Sequence, residues 1–400
     1  MMDIQIMETQ PPIEGAKIKV IGVGGGGGNM ISYLMQMDID ESIELIVANT
    51  DAQALHKSPA PTKMQLGLNE TKGLGAGMKP EKGRKAAEES YEDIKAVLEG
   101  ADIVFISAGL GGGTGTGAAP IIARAAKEVG ALVIAVVTKP FKFEAGKRDR
   151  LAKEGFVELK KETDTIVVIP NDKLLSIIDK SAGLKETFKI VDSVLAKAVD
   201  GMSRVILQTG SNDINVDFAD VCTVMSWQGA ALMGMGESTG SNAAYEAIKS
   251  AIESPLFDNI SINGARGLLV NFRLHPDYPF QEISAAMESI CNSLDTDADV
   301  FFGTHSDDTL PEDKIEVTII ATGFEKEQEQ QSIAVTSPTP ISNNTQQLSS
   351  QPVSGGEQTA ASLSASPMQH MQLRRVSGSD YFQTNPDDLD QPSFFRKQMD

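Results

Sequence analysis

The sequence predicts an α/β protein in which a parallel sheet is joined by one long helix to a second, α+β domain. Three observations predict it. Short apolar runs alternate with helical patterns from residue 17 to about residue 170. Two glycine-rich turns each follow such a run and open a helix. Beyond residue 210 the pattern changes to longer strands with fewer helices. Alternating strands and helices are typical of a parallel sheet covered on both faces.

Five apolar runs predict the strands of the first domain. They cover residues 17–23, 43–48, 102–107, 131–138 and 165–169. Helical patterns fall between them at residues 29–37, 80–98, 118–128 and 147–161. Ligands of parallel sheets bind beyond the carboxyl ends of the strands. We therefore expect the functional loops to follow these five runs.

A long helical pattern at residues 186–208 leads to the second half of the chain. It ends before Gly210, a residue suited to the carboxyl end of a helix. Further strands are predicted at residues 227–235, 267–274, 299–304 and 314–323, with helices at 242–252 and 280–293.

Residues 327–388 are rich in Gln, Ser, Thr, Pro and Asn, a composition that predicts a disordered linker. The last twelve residues, 389–400 from Leu389 to Asp400, combine apolar and basic side chains, as a docking peptide would. A frayed terminus is the alternative. The predicted division is a flexible amino terminus at 1–15, a first domain at 16–185, a central helix at 186–209, a second domain at 210–326, the linker and the tail peptide.

Composition and charge limit the classes of partner. The chain has 35 basic and 55 acidic residues and a net charge of −20. This excess of acid disfavours nucleic acid and anionic lipid as direct partners. Cys222 and Cys291 are far apart, which fits a reducing cytosol and no structural zinc or other metal site. The longest apolar run, residues 131–137, is too short to cross a bilayer. We expect a soluble cytoplasmic protein without direct membrane insertion.

The sharpest motif is Gly-Gly-Gly-Thr-Gly-Thr-Gly at residues 111–117. Five glycines let bare backbone N–H groups approach an anion, and the helix that follows adds unpaired amides and the positive end of its dipole. Thr114 and Thr116 add hydroxyl donors. The motif predicts a cradle for a polyphosphate. The alternative is a flexible linker, which the strand–loop–helix context disfavours.

A second glycine turn at residues 22–27 also satisfies G-x-G-x-x-G after a strand. Alone it would suit a dinucleotide enzyme, with Asp51 near the position of the ribose-binding acid. One pyrophosphate needs one such turn, whereas two facing turns suit a di- or triphosphate. A P-loop is absent because Lys147 is followed by Arg148. A nicotinamide enzyme would need a His or Lys catalyst, and none of the four histidines sits near a strand end of the first domain.

Other side chains suit the base and ribose of a nucleotide. Asn171 and Asp192 are able to hydrogen-bond a purine edge, and a carboxylate complements the N1–H and N2–H₂ donors of guanine. Phe188 lies one helical turn before Asp192 and is able to stack on the base. Glu144 and Arg148 would contact ribose and phosphate. The alternatives are core packing for Phe188 and a solvated salt pair for Glu144 and Arg148.

Asp217 and Asp220 stand three residues apart at the start of a helical pattern, so they share a face. They are able to orient or deprotonate a hydrolytic water. Helix capping is the alternative for Asp217. The helix between Asp192 and Thr209 is about 26 Å long. If Asp192 touches the base, the two acids emerge on the far side and reach only the nucleotide of a second copy. A head-to-tail contact that does not close builds a filament.

These motifs resemble those of the bacterial cell-division branch of the FtsZ/tubulin family. The resemblance covers residues 17–323 and returns at 389–400. Residues 111–117 are similar to the family signature and residues 215–220, Asn-Val-Asp-Phe-Ala-Asp, to its synergy loop. Asn-Thr-Asp-Ala-Gln at 49–53 and Thr-Lys-Pro-Phe at 138–141 are also typical. A scaffold that does not hydrolyse nucleotide would have lost the acids at 217 and 220, yet both are present.

The resemblance implies a GTPase that uses GTP, GDP and Mg²⁺, polymerises head to tail into a homopolymer and forms the mid-cell division ring. It implies catalysis in the neighbouring subunit by Asn215, Asp217 and Asp220. It implies nucleotide binding by Gly25, Gly26, Gly27, Gly28, Asn29, Met30, Asp51, Gly77, Gly111, Gly112, Gly113, Thr114, Gly115, Thr116, Gly117, Glu144, Arg148, Asn171, Phe188 and Asp192.

The same resemblance implies that residues 389–400 dock membrane-tethering and regulatory division proteins. Gln391 and Phe395 depart from the family, in which aliphatic residues are more usual at these positions. Asp192 is Asn in some relatives, and either side chain accepts hydrogen bonds from guanine.

Overall fold

The computed structural model describes residues 15–37, 39–144, 146–176, 178–179, 181–207, 214, 216–227, 229–254, 257, 262–295 and 297–324. The predicted linker, the predicted tail peptide and Asn215 lie outside the described residues.

Ten strands in the described part of the chain form one mixed sheet, in the spatial order β3-β2-β1-β4-β5-β6-β7-β10-β8-β9. In chain order they are β1 (Ile18–Val23), β2 (Glu44–Asn49), β3 (Thr62–Gln65), β4 (Ile103–Gly109), β5 (Leu132–Lys139), β6 (Thr165–Pro170), β7 (Gly229–Thr239), β8 (Gly267–Leu274), β9 (Asp299–Ser306) and β10 (Lys314–Thr322).

The first six strands are parallel, as the sequence predicts. β3 was not predicted because it has only four residues and two of them are exposed. β7 pairs in parallel with β6 through residues 229–231 opposite 165–167. β10 then runs antiparallel between β7 and β8, and β9 is parallel to β8. One sheet thus continues from the first predicted domain into the second.

Twelve α-helices flank the described strands. They are α1 (Gly24–Leu34), α2 (Ala52–Lys57), α3 (Leu68–Thr71), α4 (Pro80–Glu89), α5 (Tyr91–Leu98), α6 (Thr114–Glu128), α7 (Gly146–Glu162), α8 (Asn171–Leu174), α9 (Leu184–Leu207), α10 (Phe218–Ser226), α11 (Ala243–Ile252) and α12 (Phe280–Cys291). Within the residues described, no helix combines the length and the apolar character that crossing a membrane requires.

Helix boundaries differ from the sequence prediction where glycine or serine intervenes. α1 starts at Gly24 rather than residue 29, and α6 starts at Thr114 rather than residue 118. Propensity places glycine outside helices, but Gly24–Gly28 form the start of α1, and Gly115 and Gly117 lie in the first turn of α6. The helix predicted over residues 80–98 is two helices. Ser90 breaks it, and its Oγ accepts a hydrogen bond from the Gly67 N–H at 3.0 Å.

The core has three parts. Alternate side chains of β1 and its neighbours pack on one side with α1, α9 and α10, and on the other with α4, α5, α6 and α7. A third cluster joins α11 and α12 to β8 and β10. The stripe of α9 predicted from apolar spacing is buried, including Val191, Leu195, Val199 and Met202. α9 therefore lies in the core from Val191 to Ile206, and its first two turns are more exposed.

Close backbone packing around Gly27 positions the start of α1. A Cβ on Gly27 would lie 2.3 Å from the carbonyl oxygen of Ser107 and 2.9 Å from Cα of Gly22. Neither backbone atom is able to move without disturbing β1 or β4. Gly25, two residues earlier, has nothing within 4 Å of the corresponding Cβ position.

We expect Gly27→Ala to lower the free energy of unfolding by about 1–3 kcal/mol, the usual cost of an overpacked site. Gly25→Ala is the matched control and should be at least as stable as the parent, since alanine favours the helix. Urea unfolding followed by circular dichroism measures both. Equal stability of the two variants would contradict the packing argument.

Candidate functional site

A cleft of about 320 Å³ opens at the carboxyl ends of β1, β4, β5 and β6. Its size falls within the range of about 300–1,000 Å³ usual for ligand pockets. The position is the one expected for a parallel sheet. Its lining consists of Gly25, Gly26, Asn29, Gly109, Leu110, Gly112, Gly113, Thr114, Gly115, Thr138, Pro140, Glu144, Arg148, Asn171, Phe188, Val191, Asp192 and Leu195.

The two glycine turns meet at this edge of the sheet. A Cβ on Gly24, whose φ is +72°, would lie 2.9 Å from the Gly115 nitrogen. A Cβ on Gly26 would lie 3.2 Å from the Gly109 nitrogen. Gly25 and Gly112 instead have nothing within 4 Å. The turns therefore touch at two points and present open backbone to the cleft, a geometry suited to an anion.

The first turn of α6 supplies the end of a helix dipole to the cleft. Its Thr114 Oγ1 lies 2.6 Å from Oγ1 of the fully buried Thr50. Thr116 points the other way, and its Oγ1 accepts a hydrogen bond from the Gly111 N–H at 2.9 Å. Thr114 is thus a cleft residue, and Thr116 fixes the shape of the turn. The unpaired amides of this helix end favour a bound phosphate.

Glu144 and Arg148 form an ion pair within the cleft lining. The Glu144 side chain is only 15% exposed and that of Arg148 is 42% exposed, so the pair is only partly solvated. Glu144 Oε1 also accepts a hydrogen bond from the Phe141 N–H at 3.0 Å. Arg148, whose guanidinium lies beside this fixed carboxylate, is the cationic side chain of the cleft lining.

The far end of the cleft carries one buried and one half-buried hydrogen-bond acceptor, Asn171 and Asp192. Asn171 is 5% exposed, and its buried Oδ1 makes no hydrogen bond within the described part of the chain. Such an atom costs about 1–3 kcal/mol unless a ligand or water meets it. Burial raises the pKa of Asp192, on α9, to about 6. Both groups therefore gain from a ligand that donates hydrogen bonds.

Phe188 lies one turn before Asp192 and is 38% exposed, so it is not the core residue that its spacing allowed as an alternative. Its ring contacts the buried ring of Phe141 edge-on, with centroids 5.8 Å apart and planes at 86°. An open aromatic surface beside two hydrogen-bond acceptors suits a planar heterocycle.

Eight predicted binding residues do not line the cleft. Met30 is fully buried in the core. Asp51 caps α2, accepting hydrogen bonds from the N–H groups of Gln53 and Ala54 at 2.8 and 3.3 Å. Several of the glycines do not line the cleft because neighbouring backbone packs closely against them. The full set is Gly27, Gly28, Met30, Asp51, Gly77, Gly111, Thr116 and Gly117.

Six cleft residues were not predicted: Gly109, Leu110, Thr138, Pro140, Val191 and Leu195. Gly109 and Leu110 lie at the carboxyl end of β4, and Thr138 and Pro140 lie at the carboxyl end of β5. The rule that ligands bind beyond the carboxyl ends of parallel strands would have been enough to predict these four residues. The two on α9 lie three residues after Phe188 and Asp192, on the same helical face. The sequence did not predict these two residues because their side chains carry no polar group.

The acidic pair lies away from the cleft. Asp217 is the N-cap of α10, and its carboxylate accepts a hydrogen bond from the Ala219 N–H at 3.3 Å. Asp220 is in the first turn of the same helix. Capping, the alternative for Asp217, is therefore present in the structure. Neither residue is among those that line the cleft.

Contacts of α10 place it at the opposite edge of the sheet. The Thr165 hydroxyl, at the amino end of β6, donates to the Met225 carbonyl in the last turn of α10. Burial raises the pKa of Cys222, with further contributions from Asp102 and Asp164, which precede β4 and β6. The cleft lies at the carboxyl ends of these strands, so the sheet separates the two sites.

Comparisons with known proteins agree with this architecture. Residues 17–179 match the GTPase domain of the tubulin/FtsZ family, and residues 229–325 match the C-terminal domain of the FtsZ family. A curated relative, the cell division protein FtsZ of Helicobacter pylori strain 26695, is 50% identical over 318 residues, covering 80% of this chain and 82% of the relative.

Solved structures show the same fold. An FtsZ dimer from M. jannaschii has a TM-score of 0.74 and 43% identity, covering 78% of this chain and 90% of that one. CetZ2 of Haloferax volcanii, at 22% identity, has a TM-score of 0.66 and covers 79% and 96% of the two chains. Fold and cleft thus define a GTPase of the tubulin/FtsZ class. Within that class, the chain belongs to the FtsZ family.

We expect the Asp192 carboxyl carbon to titrate with a midpoint near pH 6 in the nucleotide-free protein, rather than near 3.8. Between pH 3.8 and 6 the folded state then holds a proton that the unfolded state has lost. The contribution of Asp192 to the free energy of unfolding therefore falls as the pH rises through this range. ¹³C NMR measures the midpoint, and Asp192→Asn identifies the signal. Glu144→Gln is the control variant, because Glu144 is a second carboxylate in the same cleft and is paired with Arg148. A midpoint near 4 would contradict burial of the carboxylate.

Proposed function

We propose that this chain is a cell-division GTPase whose hydrolytic site is completed by a second copy stacked head to tail. One observation carries the proposal. The cleft and the acidic helix α10 lie at opposite edges of one sheet, so a single copy cannot bring Asp220 to its own cleft. The relatives that share the chain's sequence are named cell division proteins.

The nucleotide occupies the cleft with its phosphates against the two glycine turns. Gly25, Gly112 and Thr114 offer open backbone or a helix end to these oxygens. Arg148, held by Glu144, faces the sugar and phosphates. This half of the cleft binds any nucleoside di- or triphosphate.

Selectivity for guanine comes from the other half. The Asp192 carboxylate accepts from N1–H and N2–H₂ of guanine, whereas adenine presents an acceptor at N1. Asn171 gains a partner for its buried Oδ1. Phe188 supplies the stacking face. A site with buried acceptors rejects a base that leaves them unpaired.

The residues fit a magnesium ion that arrives with the nucleotide. No group of three or more His, Cys, Asp or Glu side chains capable of holding a metal occurs among the residues described. The cleft carboxylates are Glu144, which is paired with Arg148, and Asp192, which is assigned to the base. Mg²⁺ binds well through substrate phosphates and retained water. When bound, it neutralises charge on the phosphates.

Hydrolysis follows stacking. Asp217 and Asp220 of one copy reach the terminal phosphate of the next and orient or deprotonate the attacking water. Asn215 belongs to the same proposed loop. A heterologous contact of this kind repeats without closing, so the product is a filament. We expect these filaments in the cytoplasm, forming a ring at mid-cell.

We expect Asp220→Ala to bind GTP as the parent does but to lose turnover by at least about a hundredfold, a typical general-base contribution. Mixed with Asp192→Ala, which keeps its acids but lacks the base contact, it should recover part of its activity, because an Asp220→Ala cleft receives intact acids wherever its neighbour is an Asp192→Ala copy. Phosphate release measures turnover. Asp220 is the sharper target because loss of Asp217 also removes a helix cap.

The parent protein is the control for these mixtures. Its specific GTPase rate should rise with protein concentration above a threshold, and sedimentation in GTP but not GDP should mark the same threshold. A rate independent of concentration would mean that each copy hydrolyses alone. Failure to bind GTP in Asp220→Ala would place this acid in its own cleft.

The tail peptide at residues 389–400 provides the link to other division proteins. Its sequence places Phe394 and Phe395 beside Arg396 and Lys397, a combination of apolar and basic contacts suited to a groove on a partner. Residues 327–388 would act as a tether, so the filament and its membrane-tethering partner need not touch directly.

Deletion of residues 389–400 should abolish ring localisation in cells while leaving the GTPase rate and its concentration dependence unchanged. Fluorescence microscopy and phosphate release measure the two properties. Arg396→Ala with Lys397→Ala tests the charge alone, with Gln398→Ala as the neighbouring control. Rings formed by the deleted chain would contradict a docking role for the tail.

A further inference from the structure

We infer that Phe141, which does not line the cleft, is a positioning residue that fixes the base-binding and sugar-binding halves of the site relative to one another. The inference rests on the proposed assignment of Phe188 to the base. It extends that assignment to a buried residue that the sequence marks only as part of Thr-Lys-Pro-Phe.

The ring of Phe141 supports the base-binding side. It is 2% exposed and lies behind the cleft, at the end of the Thr138–Pro140 wall. Its edge contact with Phe188 has a centroid separation of 5.8 Å and an interplanar angle of 86°. This is a favourable arrangement for two aromatic rings. Phe188 is 38% exposed, so its contact with Phe141 restrains a ring that otherwise borders open space.

The peptide of Phe141 supports the sugar-binding side. Its N–H donates to Glu144 Oε1 at 3.0 Å, and its carbonyl accepts from the Glu144 N–H at 3.0 Å. Glu144 in turn holds Arg148. One residue therefore contacts Phe188 through its side chain and Glu144 through its backbone. A side-chain substitution separates the two roles because it removes the first contact and leaves the second.

The segment around Phe141 is also anchored to the short helix α8, which carries Asn171. The Lys142 N–H donates to Asp172 Oδ1 at 3.0 Å. On the outer side, the ring of Phe143 stacks on Phe141 with centroids 5.0 Å apart and planes at 15°. Phe143 is 66% exposed and makes no ring contact with Phe188 among the described residues. Phe143 therefore offers a matched control for Phe141.

The test measures equilibrium binding of GDP and of inorganic pyrophosphate, a probe without base or sugar, to the full-length protein. Phe141→Leu should weaken GDP about three- to tenfold, the range of an aromatic pair. Pyrophosphate binding should not change because the glycine turns are untouched. Phe143→Leu should leave both ligands unaffected. In the double variant Phe141→Leu/Phe188→Leu, GDP binding should be no weaker than in Phe188→Leu alone.

The outcomes separate this inference from the proposed function. Full GDP affinity in Phe188→Leu would overturn the base assignment itself. Weak binding by Phe188→Leu together with full affinity in Phe141→Leu would overturn only the positioning role. Parallel loss of pyrophosphate affinity, or penalties that add in the double variant, would do the same. Phe141→Met is measured alongside and judged identically, so the test stands if the leucine variant does not fold.

Discussion

The closeness of two glycine turns is the constraint on which the rest of the structure depends. β1 and β4 are neighbours in register, with Gly22 opposite Ser107. The helices that follow them therefore begin side by side. A single Cβ at Gly24 or Gly27 would strike backbone of the other turn or strand. Only without side chains do both helix starts present their amides to one small volume, and that convergence creates a site for a polyphosphate.

The opposite end of the cleft is stabilised less by its own contacts than by what it would bind. Asn171 buries an acceptor that makes no hydrogen bond in the described part of the chain, and burial raises the pKa of Asp192. Both features cost the fold free energy. Natural proteins accept such costs at functional sites. A guanine base would supply donors to these acceptors, so in the proposed assignment selectivity and local instability have the same origin.

The sheet and α9 together keep the cleft and the acidic helix apart. α9 has 24 residues, and its apolar stripe is buried beside α1 and the sheet. At ~1.5 Å per residue it spans about 36 Å. β7 then continues the sheet from β6. A rigid separation of this kind makes assembly, rather than a movement within one copy, the step that would bring Asp220 to a nucleotide.

The sequence by itself determined five of the six parallel strands of the first domain, the amphipathic α9, the two glycine turns and the polar residues of the cleft, because periodicity and side-chain chemistry are local properties. Only the tertiary structure decided which of those glycines face the cleft: Gly25 and Gly112 have open space at the Cβ position, whereas neighbouring backbone occupies that space at Gly27 and Gly117. It also decided that Asp51 caps a helix, that Phe141 supports Phe188, and that one sheet crosses the predicted domain boundary. Each depends on contacts between residues far apart in the chain, which no local pattern records.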